Sequence, residues 1–139
     1  MVQLIVGNKG KGKTKHLLDK VNAEIKETSG NIVYLDKSTK HMYELNNKVR
    51  LIDVSGYMLE STDEFLGFIS GIISQDHDLQ KVYLDSFLHI ACIKENDIEA
   101  SILKLEKISE AKKIDFVISV SLDEAMIPES IKKDIIVSL

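Results

Sequence analysis

The 139-residue chain has no tryptophan, one cysteine, one proline and one arginine. Each scarcity excludes something. With Cys92 alone no internal disulfide can form, and a reducing cytoplasm is the expected compartment. Pro128 stands by itself, the seven glycines are scattered, and no repeat or low-complexity tract interrupts the pattern, so residues 1–139 read as one domain. No apolar run approaches the ~20 residues that cross a bilayer. Met1-Val2-Gln3-Leu4 lacks the basic start and long apolar stretch of a secretory signal, and no membrane partner is expected. The net charge of −4 argues against a broad nucleic-acid surface. Arg50 is the only arginine, so the remaining strongly basic side chains are lysines, which lack its planar fork.

What is present is the balance of a folded globular chain, 44% hydrophobic and 29% charged. Short apolar runs alternate with amphipathic stretches. Val2–Val6, Asn31–Leu35, Val49–Val54, Lys81–Asp85, Asp115–Val120 and Ile135–Val137 read as strands. Helical spacing appears over 13–27 (Leu17, Leu18, Val21, Ile25), over 62–75 (Phe65, Leu66, Ile69, Ile72, Ile73) and over 97–113 (Ile98, Ile102, Leu105, Ile108). Thr62 is the expected N-cap of the second helix, and Ser121 with Glu124 fits a capping box for a short helix. Pro128 can restart that helix, and Gly30 is a plausible stop for the first. Residues 39–47 predict one or two helical turns, and Phe87 to Ile93 either a helix or a buried loop. The strands are apolar throughout rather than alternating, as strands covered on both faces are. The expected fold is therefore α/β: a doubly wound, mostly parallel open sheet of five or six strands with helices on both faces.

Gly7-Asn8-Lys9-Gly10-Lys11-Gly12-Lys13-Thr14 matches G-x-x-x-x-G-K-[ST] at every fixed position, between a strand and an amphipathic helix. Glycines let such a loop wrap a phosphate with its amides pointing inward, and the helix N-terminus adds its dipole. In this reading residues 7–15 bind a nucleotide, Lys13 bridges the β- and γ-phosphates, and the Thr14 hydroxyl ligates Mg²⁺. Lys9 and Lys11 add charge around the loop, whereas Lys15 fits a solvated basic edge. A variant loop carries a signature lysine directly after its first glycine. Here that position is Asn8, and the variant is not assigned. The partner carboxylate expected for the metal is Asp85, at the end of Val82-Tyr83-Leu84.

With these two motifs the chain resembles the P-loop NTPases, Asp85 standing as the Walker B residue to the Walker A loop. Its element order resembles the RecA-like branch. Two strands lie between the loop helix and the Asp85 strand, Leu84-Asp85-Ser86 is similar to that branch's Asp-Ser ending, and Ser119 and Ser121 fall where it places a polar sensor. The resemblance implies a strand order of the 5-1-4-3-2 type, with the Asp85 strand not directly beside the loop strand. It also implies ATP with Mg²⁺ as ligands. No N-K-x-D string reads guanine.

Two departures from the family pattern bear on activity. The position after Asp85 is Ser86 and the second after Asp36 is Ser38, so neither place offers the catalytic Glu. Asp36, or Asp53, could substitute. Arg50 is predicted inside a strand, a poor place for an arginine finger. The sequence thus points to a slow ATPase, or one activated by a protein partner or a second copy that completes the site. A nucleotide-gated adaptor without turnover and a small-molecule or nucleoside kinase are the alternatives. The four histidines show no ligand spacing, Asp76-His77-Asp78 reads as a polar turn, Cys92 as a buried structural residue, and Tyr34 and Tyr83 as sheet residues.

Overall fold

The runs without polar alternation form a sheet that is covered on two faces. In the computed structural model, which describes residues 1–94 and 97–139, the strands are β1 (Val2–Val6), β2 (Asn31–Asp36), β3 (Arg50–Asp53), β4 (Leu79–Leu84), β5 (Asp115–Val120) and β6 (Ile135–Ser138). The helices are α1 (Lys13–Glu24), α2 (Thr62–Ser74), a single turn α3 (Phe87–Ile90) and α4 (Ile98–Lys112). The six strands lie in the order β3-β2-β4-β5-β1-β6, and every neighbouring pair is parallel. The protein is thus an α/β open sheet. The strand that ends at Asp85 is separated from β1 by β5.

Alternation along each strand divides the core in two. Leu4, Val33, Leu35, Val82, Leu84, Phe116 and Ile118 pack with Phe65 and Ile69 of α2, Phe87 of α3, and Ile102 and Leu105 of α4. Ile5, Ile32, Tyr34, Tyr83 and Val117 face the other way and pack on Leu17, Leu18 and Val21 of α1. Successive side chains of a strand point to opposite faces, so Gly7, Asp36, Asp85 and Ser119, each two residues beyond a member of the second group, belong to the α1 face.

Local signals were read correctly in kind, and their ends differ for identifiable reasons. Helix α1 stops at Glu24 rather than 27, and the ambiguous 39–47 stretch holds one 3₁₀ turn, Met42–Glu44. Thr62 is not the N-cap of α2. Ser61 is extended (φ −147°, ψ 162°) and accepts the Glu64 N–H at 3.1 Å, while the Thr62 hydroxyl donates to the Ala91 and Cys92 carbonyls at 2.9 and 3.2 Å. Thr62 thereby ties α2 to the segment after α3. Likewise Ser121 caps nothing: the short 3₁₀ turn Glu124–Met126 starts later, and Asp123 accepts the Ala125 N–H at 3.0 Å. Pro128 does precede a 3₁₀ stretch, Glu129–Asp134. Cys92 is half-buried rather than buried, with φ +52°. Among the described residues no helix is long and apolar enough to cross a membrane.

Gly30 does more than end a helix. A Cβ there would collide with the Asp78 carbonyl oxygen and lie 2.7 Å from the Gln80 Cγ, because the turn before β2 packs against the turn before β4. Gly30→Ala is expected to destabilise the fold by about 1–3 kcal/mol through overpacking. Urea denaturation followed by circular dichroism measures it.

Candidate functional site

The loop that leaves β1 is built by glycines in conformations other residues avoid. Gly7, Gly10 and Gly12 have φ of +153°, +88° and +92°. Gly7 has a second constraint: its N–H donates to Leu122 O at 2.8 Å, and a Cβ would lie 3.0 Å from the Leu139 side chain. Gly12 occupies the N-cap position of α1 and supplies no side chain, so the helix begins uncapped. The main-chain N–H groups of residues 8–15 make no hydrogen bond to a protein acceptor among the described residues. Such donors at a helix N-terminus carry partial positive charge and favour an anion.

Lys13 opens the helix yet is only 8% exposed, and its Nζ donates to the Asn8 carbonyl at 3.1 Å. Burial pulls its pKa below the ordinary lysine range, and the Asp85 carboxylate opposes that shift. The loop's own carbonyl thus holds the ammonium over the open amides. Lys15 is turned away: it is 79% exposed and pairs with Asp19 at 3.0 Å.

Parallel register carries the other groups to the same place. Leu35 is opposite Leu84 and Leu84 opposite Ile118, so Asp36, Asp85 and Ser119 follow side by side at the C-terminal ends of β2, β4 and β5. Asp85 is 2% exposed. Its Oδ1 accepts from Ser119 Oγ at 2.7 Å and Thr14 Oγ1 at 3.3 Å, and its Oδ2 accepts from the Tyr34 hydroxyl at 2.8 Å. Ser119 Oγ in turn accepts the Ser86 N–H at 2.9 Å, which fixes a left-handed residue (φ +57°) at the turn into α3. Asp36 is buried and accepts the Lys37 N–H at 2.7 Å. Burial, then the nearby Asp85 charge, raises its pKa, with the Lys37 amide, His41 and Lys37 offsetting part of the rise.

A cavity of about 530 Å³ joins these groups. Lys9, Gly10, Gly12, Lys13 and Thr14 line it from the loop. Asp36, Lys37, Ser38, Lys40 and His41 line it from the segment after β2, and Asp85, Ser86, Leu88, His89, Ser119 and Ser121 from the segments after β4 and β5. Among the cavity's lining residues Gly7, Asn8, Lys11 and Lys15 are missing: Gly7 supports the loop from beneath, and Asn8 contributes its carbonyl to Lys13. Asp53 also lies outside, accepting the Ser55 N–H and hydroxyl at 3.0 and 2.6 Å. Arg50, at the opposite end of β3, pairs with Asp76 at 3.1 Å. Asp76 also accepts from Asn31 and from the Asp78 N–H, so 76–78 is a turn held by its own hydrogen bonds. A second cavity, about 430 Å³, lies between α2 and α4 over Ile73, Leu79, Ile108 and Ile114. It lacks the convergence of open amides, carboxylates and an ammonium that marks the first. Among the described residues no three or more His, Cys, Asp or Glu side chains form a metal cluster. No protein-family model matches the chain, and no curated protein matches it with significance.

Tyr34 was read from the sequence as a sheet residue, and it is one, but its hydroxyl is also the partner of Asp85. Period-two alternation was the available signal, since Tyr34 and Asp36 share a face.

The Asp36 shift has a measurable consequence. With its folded-state pKa raised, the folded chain retains a proton that the unfolded chain has lost, so this group's contribution to stability falls as pH rises through and above about 4. Asp36→Asn keeps an acceptor for the Lys37 N–H. It is expected to stabilise the chain at pH 7 and to lose that advantage below about pH 4, where both states are protonated. Denaturation midpoints across that range test the sign.

Proposed function

We propose that this chain is a P-loop nucleotide-binding protein of the RecA-like type, taking ATP with Mg²⁺ and hydrolysing it slowly. The observation that carries the reading is the set of open amides over residues 8–15, with the Lys13 ammonium held above them at the mouth of the 530 Å³ cavity. A nucleotide's phosphates satisfy those donors and that charge together. The strand order supports it. Leaving aside the edge strand β3, β6-β1-β5-β4-β2 is the 5-1-4-3-2 arrangement that the resemblance implies.

The residues present also fit Mg²⁺. Thr14 and Asp85 offer a hydroxyl and a carboxylate within 3.3 Å of each other, an oxygen-only pair suited to a hard cation. When bound, Mg²⁺ neutralises charge on the phosphate oxygens. The chain's own groups do the rest. Lys13 exchanges the Asn8 carbonyl for phosphate oxygens. Asp36, a cavity carboxylate with its pKa raised toward the range of a useful base, orients the attacking water. No arginine faces the cavity, because the only one is committed to Asp76 at the far end of the sheet. Transition-state charge is therefore met by lysines alone, and turnover is slow unless a protein partner or second copy adds to the site. The same lack of arginine favours an adaptor that binds without turnover as the second reading, ahead of a kinase.

Calorimetry of the purified chain is expected to show Mg²⁺-dependent ATP binding, weakened by about tenfold to a hundredfold in Lys13→Ala through the loss of charge-assisted hydrogen bonds. Absence of binding to any nucleoside triphosphate overturns the proposal. Phosphate release that disappears in Asp85→Asn separates the ATPase from the adaptor.

A further inference from the structure

The hydroxyls around Asp85 divide its two oxygens unequally. Oδ1 accepts from Ser119 and, over the longest of the contacts, 3.3 Å, from Thr14, which lines the cavity. Oδ2 accepts from Tyr34 alone, in a buried pair at 2.8 Å. The Tyr34 ring has no exposed surface and stacks on Tyr83, centroids 6.0 Å apart and planes 13° from parallel. Burial beside Asp85 pushes the phenol's pKa upward, so it remains a donor. The backbone is equally fixed: Tyr34 is in register with Tyr83, and the Asp85 N–H donates to Leu35 O at 2.9 Å. Asp85 therefore presents one oxygen toward Thr14 and keeps the other engaged inside the sheet face.

We propose that Tyr34 is a positioning residue that holds the Asp85 carboxylate single-ended, and that this makes the site favour Mg²⁺ over Ca²⁺. The inference rests on the nucleotide reading above. Mg²⁺ is small, octahedral and keeps much of its water, so one carboxylate oxygen serves it. Ca²⁺ takes six to eight oxygens and commonly grips carboxylates through both. That grip requires Oδ2, and taking Oδ2 leaves a buried phenol without an acceptor. Partners that orient a ligating carboxylate typically change metal affinity by about 10–100-fold.

The test is calorimetric titration of the full chain with ATP in EDTA, in Mg²⁺ and in Ca²⁺. The unmodified chain is expected to bind distinctly more tightly with Mg²⁺ than with Ca²⁺. Tyr34→Phe keeps the ring and its stack and removes only the hydroxyl. It is expected to reduce the Mg²⁺ over Ca²⁺ preference by about tenfold, with affinity in EDTA unchanged. A merely structural role for Tyr34 lowers binding in all three conditions together and leaves the ratio intact, which overturns the inference. If Tyr34→Phe does not fold, the unmodified chain decides, since equal affinities with the two cations also overturn it. In both of those cases nucleotide binding itself stands. Absence of ATP binding under every condition removes both readings.

Discussion

Asp85 is 2% exposed, and its charge is answered by hydroxyls drawn from β2, β5 and the start of α1, with the Lys13 ammonium close enough to feel its field. A carboxylate taken out of water without such partners would shift its pKa and neutralise, or unfold its surroundings. Here the partners come from separate elements, so the carboxylate couples them. The β2–β4 register sets the Tyr34 contact, the β4–β5 register sets the Ser119 contact, and the seating of α1 sets the Thr14 contact. A slip of one residue in either register would move a partner to the opposite face. The left-handed Ser86 belongs to the same arrangement, because its N–H is satisfied by the serine that also serves Asp85.

The two ends of the sheet differ in chemistry. At the C-terminal ends of the strands lie Asp36, Asp85, Ser119 and the loop after β1. At the other end Arg50 pairs with Asp76, and Lys81 lies against Glu24, which also accepts from the Tyr83 hydroxyl at 2.6 Å. Ion pairs at that end neutralise their members locally. At the cavity end, Lys13 and Asp85 remain oriented toward a shared space with open amides beside them. In open parallel sheets, ligands gather outside the carboxyl ends of the strands. This chain adds a physical reason, since the groups left without full local partners are concentrated there.

Much of this was legible in the sequence because burial on two faces leaves continuous apolar runs, and the loop's spacing is stringent. The strand runs, the α1 start at Lys13, the face shared by Asp36 and Asp85, and the position of Arg50 on a strand all follow from residue pattern. What was not legible depends on tertiary partners. Thr62 and Ser61 are both good caps in isolation, and the choice is made by the Ala91 and Cys92 carbonyls that claim the Thr62 hydroxyl. The purpose of Gly30 rests on Asp78, far along the chain. Tyr34 illustrates the same limit. Its burial could be read from β2, but the bond to Asp85 needs the β2–β4 pairing.

The contrast between the starts of α1 and α2 is the strongest local argument about what the loop is for. Helix α2 begins as helices usually do, with a serine cap and with Asp63 and Glu64 in its first turn facing the dipole's positive end. Helix α1 has no side-chain cap and no acidic residue in its first turn, and lysines stand at 9, 11, 13 and 15. Those cations oppose the dipole, and the left-handed Gly12 gives up the capping bond that a serine would make. Within one chain, the rules kept at α2 are broken together at α1. Local rules fail together where another requirement competes with stability. An acid in the first turn of α1 would complement the helix, but it would also repel an anion from the amides of residues 8–15. The absence of that acid, the missing cap and the excess of lysine are one arrangement, which an anionic ligand would complete.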